Sequence, residues 1–240
     1  MRPLAILIAG EPVPGALAAR GTFGAMIRAA VGDAWQGPWA ELDARAQLPN
    51  FEGFAGLIIS GSPANVPTRE PWIVAVERYL ARAVTAGLPT FGICFGHQLL
   101  GQALGGLVAR NPRGLEVGTV ALEPLATDPV LAGLGQTRSV NMAHFDSVVK
   151  LPEGARVLAR TRQDEHAAVY FGARAWGVQF HPEMDGEIIG HYVAARADPS
   201  AGATNDLEAA DDGARARDTP EARTLLQSFV RGALAPSAER

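Results

Sequence analysis

Residues 89–100 read Pro-Thr-Phe-Gly-Ile-Cys-Phe-Gly-His-Gln-Leu-Leu. The apolar run at 89–93 predicts a buried β-strand, and the apolar side of residues 96–104 predicts a helix directly after it. Cys94 lies between two glycines at the junction, which is the pattern of a nucleophile elbow, a sharp strand-to-helix turn that presents a reactive side chain. The start of a helix supplies backbone N–H donors and a partial positive charge, which favour a thiolate. This motif alone leaves one alternative open, a buried structural cysteine beside ordinary loop glycines.

The same alternation of strand and helix extends toward the N-terminus. The predicted strands are residues 4–8, 35–42 and 56–60. One helix is predicted from a cap at Thr22 to Gly32, and another from Pro71 to Gly87. This order predicts an α/β fold, an open and mainly parallel sheet with helices on both faces in a flavodoxin-like or Rossmann-like three-layer arrangement. Short apolar segments between residues 107 and 180 predict extra strands that complete the sheet and form a small antiparallel flap.

We expect one domain over residues 1–240, because the chain is long enough to bury a core and shows no internal repeat. Four-residue apolar pairs predict a helix over 188–196. Residues 198–218 hold six acids and two arginines, with Leu207 as their only sizeable aliphatic side chain. This composition predicts a mobile loop. A last helix is predicted to open at Thr219-Pro220, and a polar tail follows over 235–240.

The composition excludes several classes of protein. The net charge of −4 and the pI near 5.7 argue against a protein that holds nucleic acid or an anionic membrane. No apolar stretch approaches the ~20 residues that span a bilayer. The first ten residues resemble a short secretory signal, but their apolar run is short and broken by Pro3. A buried strand followed by a loop explains the same residues better, so we expect a cytoplasmic protein. Cys94 is the single cysteine, which excludes an intramolecular disulfide and a multi-cysteine zinc site.

A histidine and an acid follow another predicted strand. His181-Pro182-Glu183 comes directly after the apolar segment at 175–180. In an extended chain, residues two apart point to the same side, so Glu183 can lie beside the His181 ring and orient it. Together with Cys94, they make a candidate Cys-His-acid triad. The alternative is a surface turn with an incidental histidine and acid.

The turn Ser60-Gly61-Ser62-Pro63 ends the strand predicted at 56–60. Because the carboxyl ends of parallel strands share one edge of a sheet, this turn can lie beside Cys94. The backbone N–H groups of Gly61 and Phe95 then form a candidate oxyanion hole for the tetrahedral intermediate of acyl transfer. A simple turn is the alternative, and the glycine and lysine pattern of a phosphate loop is absent.

These motifs resemble the class I, or triad-type, glutamine amidotransferases. The resemblance rests on residues 58–63, 91–100 and 176–183 and runs from about residue 4 to residue 229. Two further segments, 111–118 and 144–148, are most similar to the stand-alone branch related to the amidotransferase domain of GMP synthase. Ser62 departs from the pattern, since glycine is common at this position.

The resemblance implies a mechanism and a set of contacts. Cys94 attacks the side-chain amide of glutamine, His181 moves the proton, and Glu183 holds the histidine, before water hydrolyses the γ-glutamyl thioester. The implied substrate contacts are Gln98, Ser62, His144 and Phe145. The resemblance implies no cofactor. We interpret His97 and His144 as structural side chains and expect no metal site.

Three interpretations of the function remain open. A complete GMP synthase carries an ATP-handling domain with a glycine-rich pyrophosphate loop, which these 240 residues lack. The chain is expected to be the glutaminase half of a two-chain amidotransferase with a separate synthetase partner, a stand-alone hydrolase of γ-glutamyl peptides, or a non-catalytic binding module. The complete set of Cys94, His181 and Glu183 argues against the last. An α/β-hydrolase fits less well, because its triad acid precedes the histidine in the chain.

Overall fold

The computed structural model describes residues 1–197 and 216–234. Its strands are β1 (Leu4–Ile8), β2 (Trp39–Asp43), β3 (Gly56–Ile59), β4 (Thr90–Ile93), β5 (Leu107–Arg110), β6 (Glu116–Ala121), β7 (Glu123–Pro124), β8 (Ser139–His144), β9 (Asp146–Lys150), β10 (Arg156–Arg160), β11 (Ala168–Gly172) and β12 (Ala175–Val178). Its α-helices are α1 (Pro14–Arg20), α2 (Phe23–Val31), α3 (Pro71–Thr85), α4 (Phe95–Ala103), α5 (Gly186–Ala197) and α6 (Pro220–Ala233).

Eight strands form one sheet in the order β2-β1-β3-β4-β12-β11-β10-β7. The pairs from β2 to β12 are parallel, and the pairs from β12 to β7 are antiparallel. The register aligns Gly92 of β4 with Ile59 of β3, and Ile93 of β4 with Val178 of β12. The carboxyl ends of β3, β4 and β12 therefore meet at one edge of the sheet, where all three candidate motifs lie.

Helices cover both faces of this sheet. Along β1, Leu4 and Ile6 belong to a buried cluster that α2 and α6 complete, whereas Ala5 and Leu7 belong to a second cluster with α3 and α4. Successive side chains of a strand point to opposite faces, so one apolar strand contributes to two cores. Each fully buried Leu, Ile or Phe stabilises the fold by roughly 1.5–3 kcal/mol. The predicted three-layer α/β fold is confirmed.

Two antiparallel pairs, β5 with β9 and β6 with β8, form the predicted flap beside the sheet. The segment β6 was predicted as a strand, but β5, β8 and β9 were not. Polar residues interrupt β8 and β9, which are separated only by Phe145, so their sequence shows no apolar run. Helix α1 also escaped prediction, because seven residues are too few for a clear helical periodicity.

The predicted helix boundaries are largely confirmed. The Thr22 hydroxyl accepts a hydrogen bond from the Ala25 N–H at 3.2 Å at the start of α2, and α3 begins at Pro71. The predicted loop over 198–218 lies outside the described residues except for 216–218, and the tail over 235–240 lies wholly outside them. The Arg217 N–H donates to the Thr119 hydroxyl at 2.8 Å, which attaches the residues before α6 to the flap. No helix in the described part of the chain is long and apolar enough to cross a membrane.

Candidate active site

Cys94 occupies the turn between β4 and α4. Its backbone has φ 50° and ψ −105°, a combination that L-residues rarely adopt because the side chain crowds the backbone. The turn is held by the Cys94 N–H, which donates to the Val178 carbonyl at 2.8 Å, and by the Gln98 N–H, which donates to the Cys94 carbonyl at 3.0 Å. The residue carries a free thiol and is 6% exposed. The strand-to-helix elbow is therefore present as the sequence predicts.

The two glycines of the elbow are required by its packing. A Cβ on Gly92 would lie 2.5 Å from the carbonyl carbon and oxygen of Gly96. A Cβ on Gly96 would in turn lie 2.5 Å from the carbonyl oxygen of Ile59 on the neighbouring strand. Both distances are too short for two non-bonded atoms, so a side chain at either position would push α4 away from the sheet.

His181 and Glu183 lie side by side just beyond β12. The His181 Nδ1 is 2.8 Å from Oε1 of Glu183, as the sequence predicts, but the backbone between them is not extended. The Met184 N–H donates to the His181 carbonyl at 3.3 Å, so residues 181–184 form a turn that brings the carboxylate back to the ring. The predicted extended geometry at Pro182 is wrong, because this turn leads the chain directly into α5.

The surroundings of His181 favour the protonated form of its ring. Burial by itself lowers the pKa of an imidazole. The negative charges of Glu183 and Cys94, with hydrogen bonds between the ring and both groups, outweigh burial and raise the pKa of His181 to about 10. A positive charge beside a cysteine favours the nucleophilic thiolate.

The turn at residues 60–62 lies beside this pair. A Cβ on Gly61 would be 3.0 Å from Cε1 of His181, so the Gly61 backbone borders the space around the ring. Phe95 is the first residue of α4, and the first N–H groups of a helix have no partner within that helix. The role of Gly61 and Phe95 as an oxyanion hole stays a prediction, and these positions suit it.

Two of the predicted substrate contacts have side chains engaged within the protein. The Gln98 Nε2 donates to the Asp146 carbonyl at 2.7 Å and to Oε1 of Gln179 at 3.0 Å. The Ser62 hydroxyl donates to the Ala9 carbonyl at 2.8 Å. Their contact with a substrate stays a prediction.

The His144 ring points into a buried polar cluster of the flap. Its Nε2 lies 3.0 Å from Oε2 of Glu116, its Nδ1 lies 3.0 Å from the Asp146 carbonyl, and Oδ2 of Asp164 is 4.0 Å away. Burial lowers the pKa of His144, but the hydrogen bond to Glu116 and the charge of Asp164 outweigh it and raise the pKa to about 9. The charged ring compensates two buried carboxylates. This agrees with the structural interpretation of His144 and leaves its backbone for a substrate.

Phe145 lies between two arginines at the turn from β8 to β9. The guanidinium carbons of Arg110 and Arg196 are 4.2 Å and 4.3 Å from the centroid of its ring, which is cation–π geometry. Positive charge therefore flanks the turn that the sequence predicts to contact the substrate.

Gln179 is a site residue to which the sequence analysis assigned no role. Its Nε2 lies 3.4 Å from Sγ of Cys94, and the residue is fully buried. Gln179 directly follows β12, at the edge of the sheet where β4 also ends. This position at a strand end was the signal that could have identified it.

His97 is the histidine nearest to Cys94 in the sequence. Its ring packs against Phe171, with the ring centroids 5.3 Å apart. Burial lowers the pKa of His97 to about 4, so the ring is neutral at pH 7, in agreement with its structural interpretation. Within residues 1–197 and 216–234, no three His, Cys, Asp or Glu side chains are arranged to hold a metal ion.

The sequence is similar to known proteins over most of its length. The pattern of the family described as glutamine amidotransferase class-I matches residues 37–196. A GMP synthase (glutamine-hydrolyzing) from Aeropyrum pernix is 39% identical over 157 residues, which cover 65% of this chain and 29% of that protein. Its counterpart from a Parafrankia species is 36% identical over 191 residues, which cover 76% of this chain and 33% of that protein. The chain thus spans about a third of the length of these curated relatives.

A solved structure shares the fold. A glutamine amidotransferase from Thermotoga maritima superimposes with a TM-score of 0.73 at 19% identity, covering 98% of this chain and 100% of that one. The family pattern covers more than half of the chain and includes the positions of Cys94, His181 and Glu183. The chain therefore belongs to the class-I glutamine amidotransferase family, a family of cysteine hydrolases.

Proposed function

We propose that this chain hydrolyses the side-chain amide of glutamine through a triad of Cys94, His181 and Glu183, releasing ammonia and glutamate. The observation that carries the proposal is the placement of the three side chains at one edge of the sheet. Cys94 lies at the elbow after β4, the His181 ring borders the Gly61 turn beside it, and Nδ1 of His181 is 2.8 Å from Oε1 of Glu183. Each of the three residues is at most 6% exposed, so their charges act with little screening by water. A binding module needs no such arrangement.

The proposed reaction has two stages, joined by an acyl-enzyme. The Cys94 thiolate attacks the δ-carbon of glutamine, and the N–H groups of Gly61 and Phe95 stabilise the oxyanion that forms. His181 gives its proton to the departing nitrogen, so ammonia leaves and a γ-glutamyl thioester remains. The neutral ring then takes a proton from water, the resulting hydroxide adds to the thioester, and the C–S bond breaks. The products are glutamate and the restored thiolate–imidazolium pair.

Glu183 contributes orientation and charge. Its hydrogen bond to Nδ1 leaves Nε2 as the ring nitrogen that can exchange a proton with the substrate, and its negative charge stabilises the imidazolium in both stages. Because the carboxylate raises the pKa of His181, it also keeps the proton available for the departing ammonia.

The arginines around Phe145 support an amino-acid substrate. Burial lowers the pKa of Arg196, and the charge of Cys94 opposes that effect. A glutamine bound with its amide at Cys94 carries an α-carboxylate a few bonds away. The positive charge of Arg110 and Arg196 suits this group. We propose that the Phe145 turn receives that end of the substrate.

We propose that the ammonia passes to a synthetase on a separate chain. The curated relatives are GMP synthases named as glutamine-hydrolyzing, and this chain matches about a third of their length. We further propose a cytoplasmic location, because a reducing compartment keeps Cys94 as the free thiol that the reaction needs.

The test is glutamate release by the purified chain, offered glutamine and a panel of γ-glutamyl peptides in parallel, with Cys94→Ala as the blank. Turnover of glutamine that Cys94→Ala abolishes is the expected result. Faster turnover of a γ-glutamyl peptide would identify the chain as a self-sufficient peptide hydrolase instead. No turnover of any substrate, with Cys94 still labelled by a glutamine-like electrophile, would indicate a competent site that needs its synthetase partner. No turnover and no labelling would refute the proposed triad.

A further inference from the structure

The sulfur of Cys94 has a second neighbour besides His181 that can donate a hydrogen bond. Gln179 is fully buried, and its Nε2 lies 3.4 Å from Sγ. We propose that Gln179 donates a hydrogen bond to the Cys94 thiolate and that Gln98 is the positioning residue that holds Gln179 in this orientation. The consequence for catalysis rests on the proposed function, but the effect on the thiol itself does not.

The direction of the Gln179 amide follows from the hydrogen bonds around it. A side-chain amide can present either its oxygen or its nitrogen to a neighbour, and only the surrounding network decides between them. The Asp146 carbonyl can only accept, so the Gln98 nitrogen must face it, at 2.7 Å. The same nitrogen is 3.0 Å from the Gln179 amide. That end of Gln179 must therefore be its oxygen, and its nitrogen is the end that faces Cys94.

The network is anchored in the flap. Asp146 is the first residue of β9 and pairs with Arg110 of β5, and its carbonyl also lies 3.0 Å from Nδ1 of His144. Gln98 uses both of its N–H groups on protein acceptors and is 4% exposed. Water cannot easily replace either partner, so the donor at the sulfur is fixed before any substrate arrives. A fixed donor needs no rearrangement when charge develops beside it.

The expected chemical effect is a larger thiolate population. Hydrogen bonds to ionised groups are stronger than those to neutral groups, so a fixed N–H favours the thiolate over the thiol. Loss of one such bond corresponds to roughly a tenfold change in the balance between the two forms. The same N–H of Gln179 would donate a hydrogen bond to the sulfur when the C–S bond of the thioester breaks and the thiolate forms again.

The experiment is the rate of Cys94 alkylation by iodoacetamide as a function of pH. Cys94 is the only cysteine of the chain, so every label reports on it. Gln179→Glu replaces the donor with an oxygen of similar shape, and Gln179→Met removes it without adding a charge. Both are expected to move the midpoint of the pH–rate profile upward, by about one pH unit in Gln179→Met. If Gln179→Glu does not fold, Gln179→Met carries the test, with circular dichroism confirming the fold.

Gln98→Met tests the positioning role. It is expected to shift the profile in the same direction by a smaller amount, and to add nothing in a Gln179→Met background, because the two residues act through one contact. Gln102→Glu is the matched control on the same helix. The Gln102 Oε1 accepts from the Val108 N–H at 3.0 Å, and glutamate keeps that acceptor, so its profile should match the wild type.

Each outcome decides the proposal. A folded Gln179→Met with the wild-type profile would overturn the role of Gln179, and additive shifts in the double variant would overturn that of Gln98. The readout is independent of turnover. A chain that shows the shift but turns over a γ-glutamyl peptide faster than glutamine retains this inference and loses the proposed function, whereas a chain that hydrolyses glutamine without the shift does the reverse.

Discussion

Replacing alanine by glycine is expected to cost less unfolding free energy at residue 94 than at an ordinary buried helical position. At φ 50° and ψ −105°, a Cβ crowds the backbone, and positions strained in this way cost of order 1–3 kcal/mol. Cys94→Ala keeps the Cβ and the strain, whereas Cys94→Gly removes both. The difference in unfolding free energy between these two variants therefore measures the strain at the elbow.

Two costs oppose the relief of strain. Loss of a buried methyl group costs about 0.8 kcal/mol, and the greater freedom of glycine in the unfolded chain costs about 0.5–1 kcal/mol. When these two costs are subtracted from the strain, the glycine variant at residue 94 is expected to lie between a loss of about 0.8 and a gain of about 1.7 kcal/mol relative to the alanine variant. Ala83 is fully buried within α3, where Ala83→Gly should cost about 1.5 kcal/mol.

Guanidinium unfolding of Cys94→Ala, Cys94→Gly, Ala83→Gly and the wild type supplies the free energies, and melting temperatures supply an independent measure. At this chain length, 1 kcal/mol corresponds to roughly 2–4 °C. If the exchange at residue 94 costs as much as Ala83→Gly, the backbone at Cys94 stores no strain and the reasoning is refuted. A large loss of stability in Cys94→Ala itself would favour the alternative of a structural cysteine.

Three further predictions concern the residues around the elbow. Glu183→Gln is expected to lower kcat for glutamine roughly 10²-fold to 10⁴-fold with little change in KM, because the imidazolium loses its orientation and its counter-charge; an effect confined to KM would remove Glu183 from the triad. Gly92→Ala should lower the melting temperature, since its Cβ would lie 2.5 Å from the Gly96 backbone, with a cost of roughly 1–3 kcal/mol; an unchanged melting temperature would contradict this packing. The pKa of His144 is raised to about 9, so the charged ring stabilises the folded protein fully below pH 6.5. This contribution to the free energy of unfolding, at most about 3 kcal/mol, is lost as the pH rises from 6.5 through about 9. Unfolding free energies measured across this range should fall less steeply in Glu116→Gln, and an equal slope in both proteins would argue against the ion pair.

Much of the architecture could be predicted because it depends on residues close together in the chain. Four sequence signals act only on residues a few positions away: the apolar run before Cys94, the glycines around it, the cap at Thr22 and the proline at the start of α3. The structure confirms the elements they predict. Strands β8 and β9 could not be predicted in the same way, because their polar residues are satisfied by partners elsewhere in the fold, such as Glu116 for His144.

The same difference between local and long-range contacts applies to the candidate site. Cys94, His181 and Glu183 were identified from motifs of three to five residues, and the contact between His181 and Glu183 spans only two positions. The turn that makes this contact was nevertheless predicted as extended chain. Local spacing permits either geometry, and the connection from β12 into α5 selects the turn.

By itself, the sequence determined the order of strands and helices, the elbow at Cys94 and the pairing of a histidine with an acid, because backbone sterics and apolar periodicity act locally. Only the tertiary structure decided which amide lies against the sulfur and which amide holds it there. Gln98 and Gln179 are 81 residues apart, and they touch because β4 and β12 lie side by side in one register while the flap supplies the Asp146 carbonyl. That register depends on the packing of two apolar cores against the two faces of the whole sheet, so no single segment of the sequence determines it.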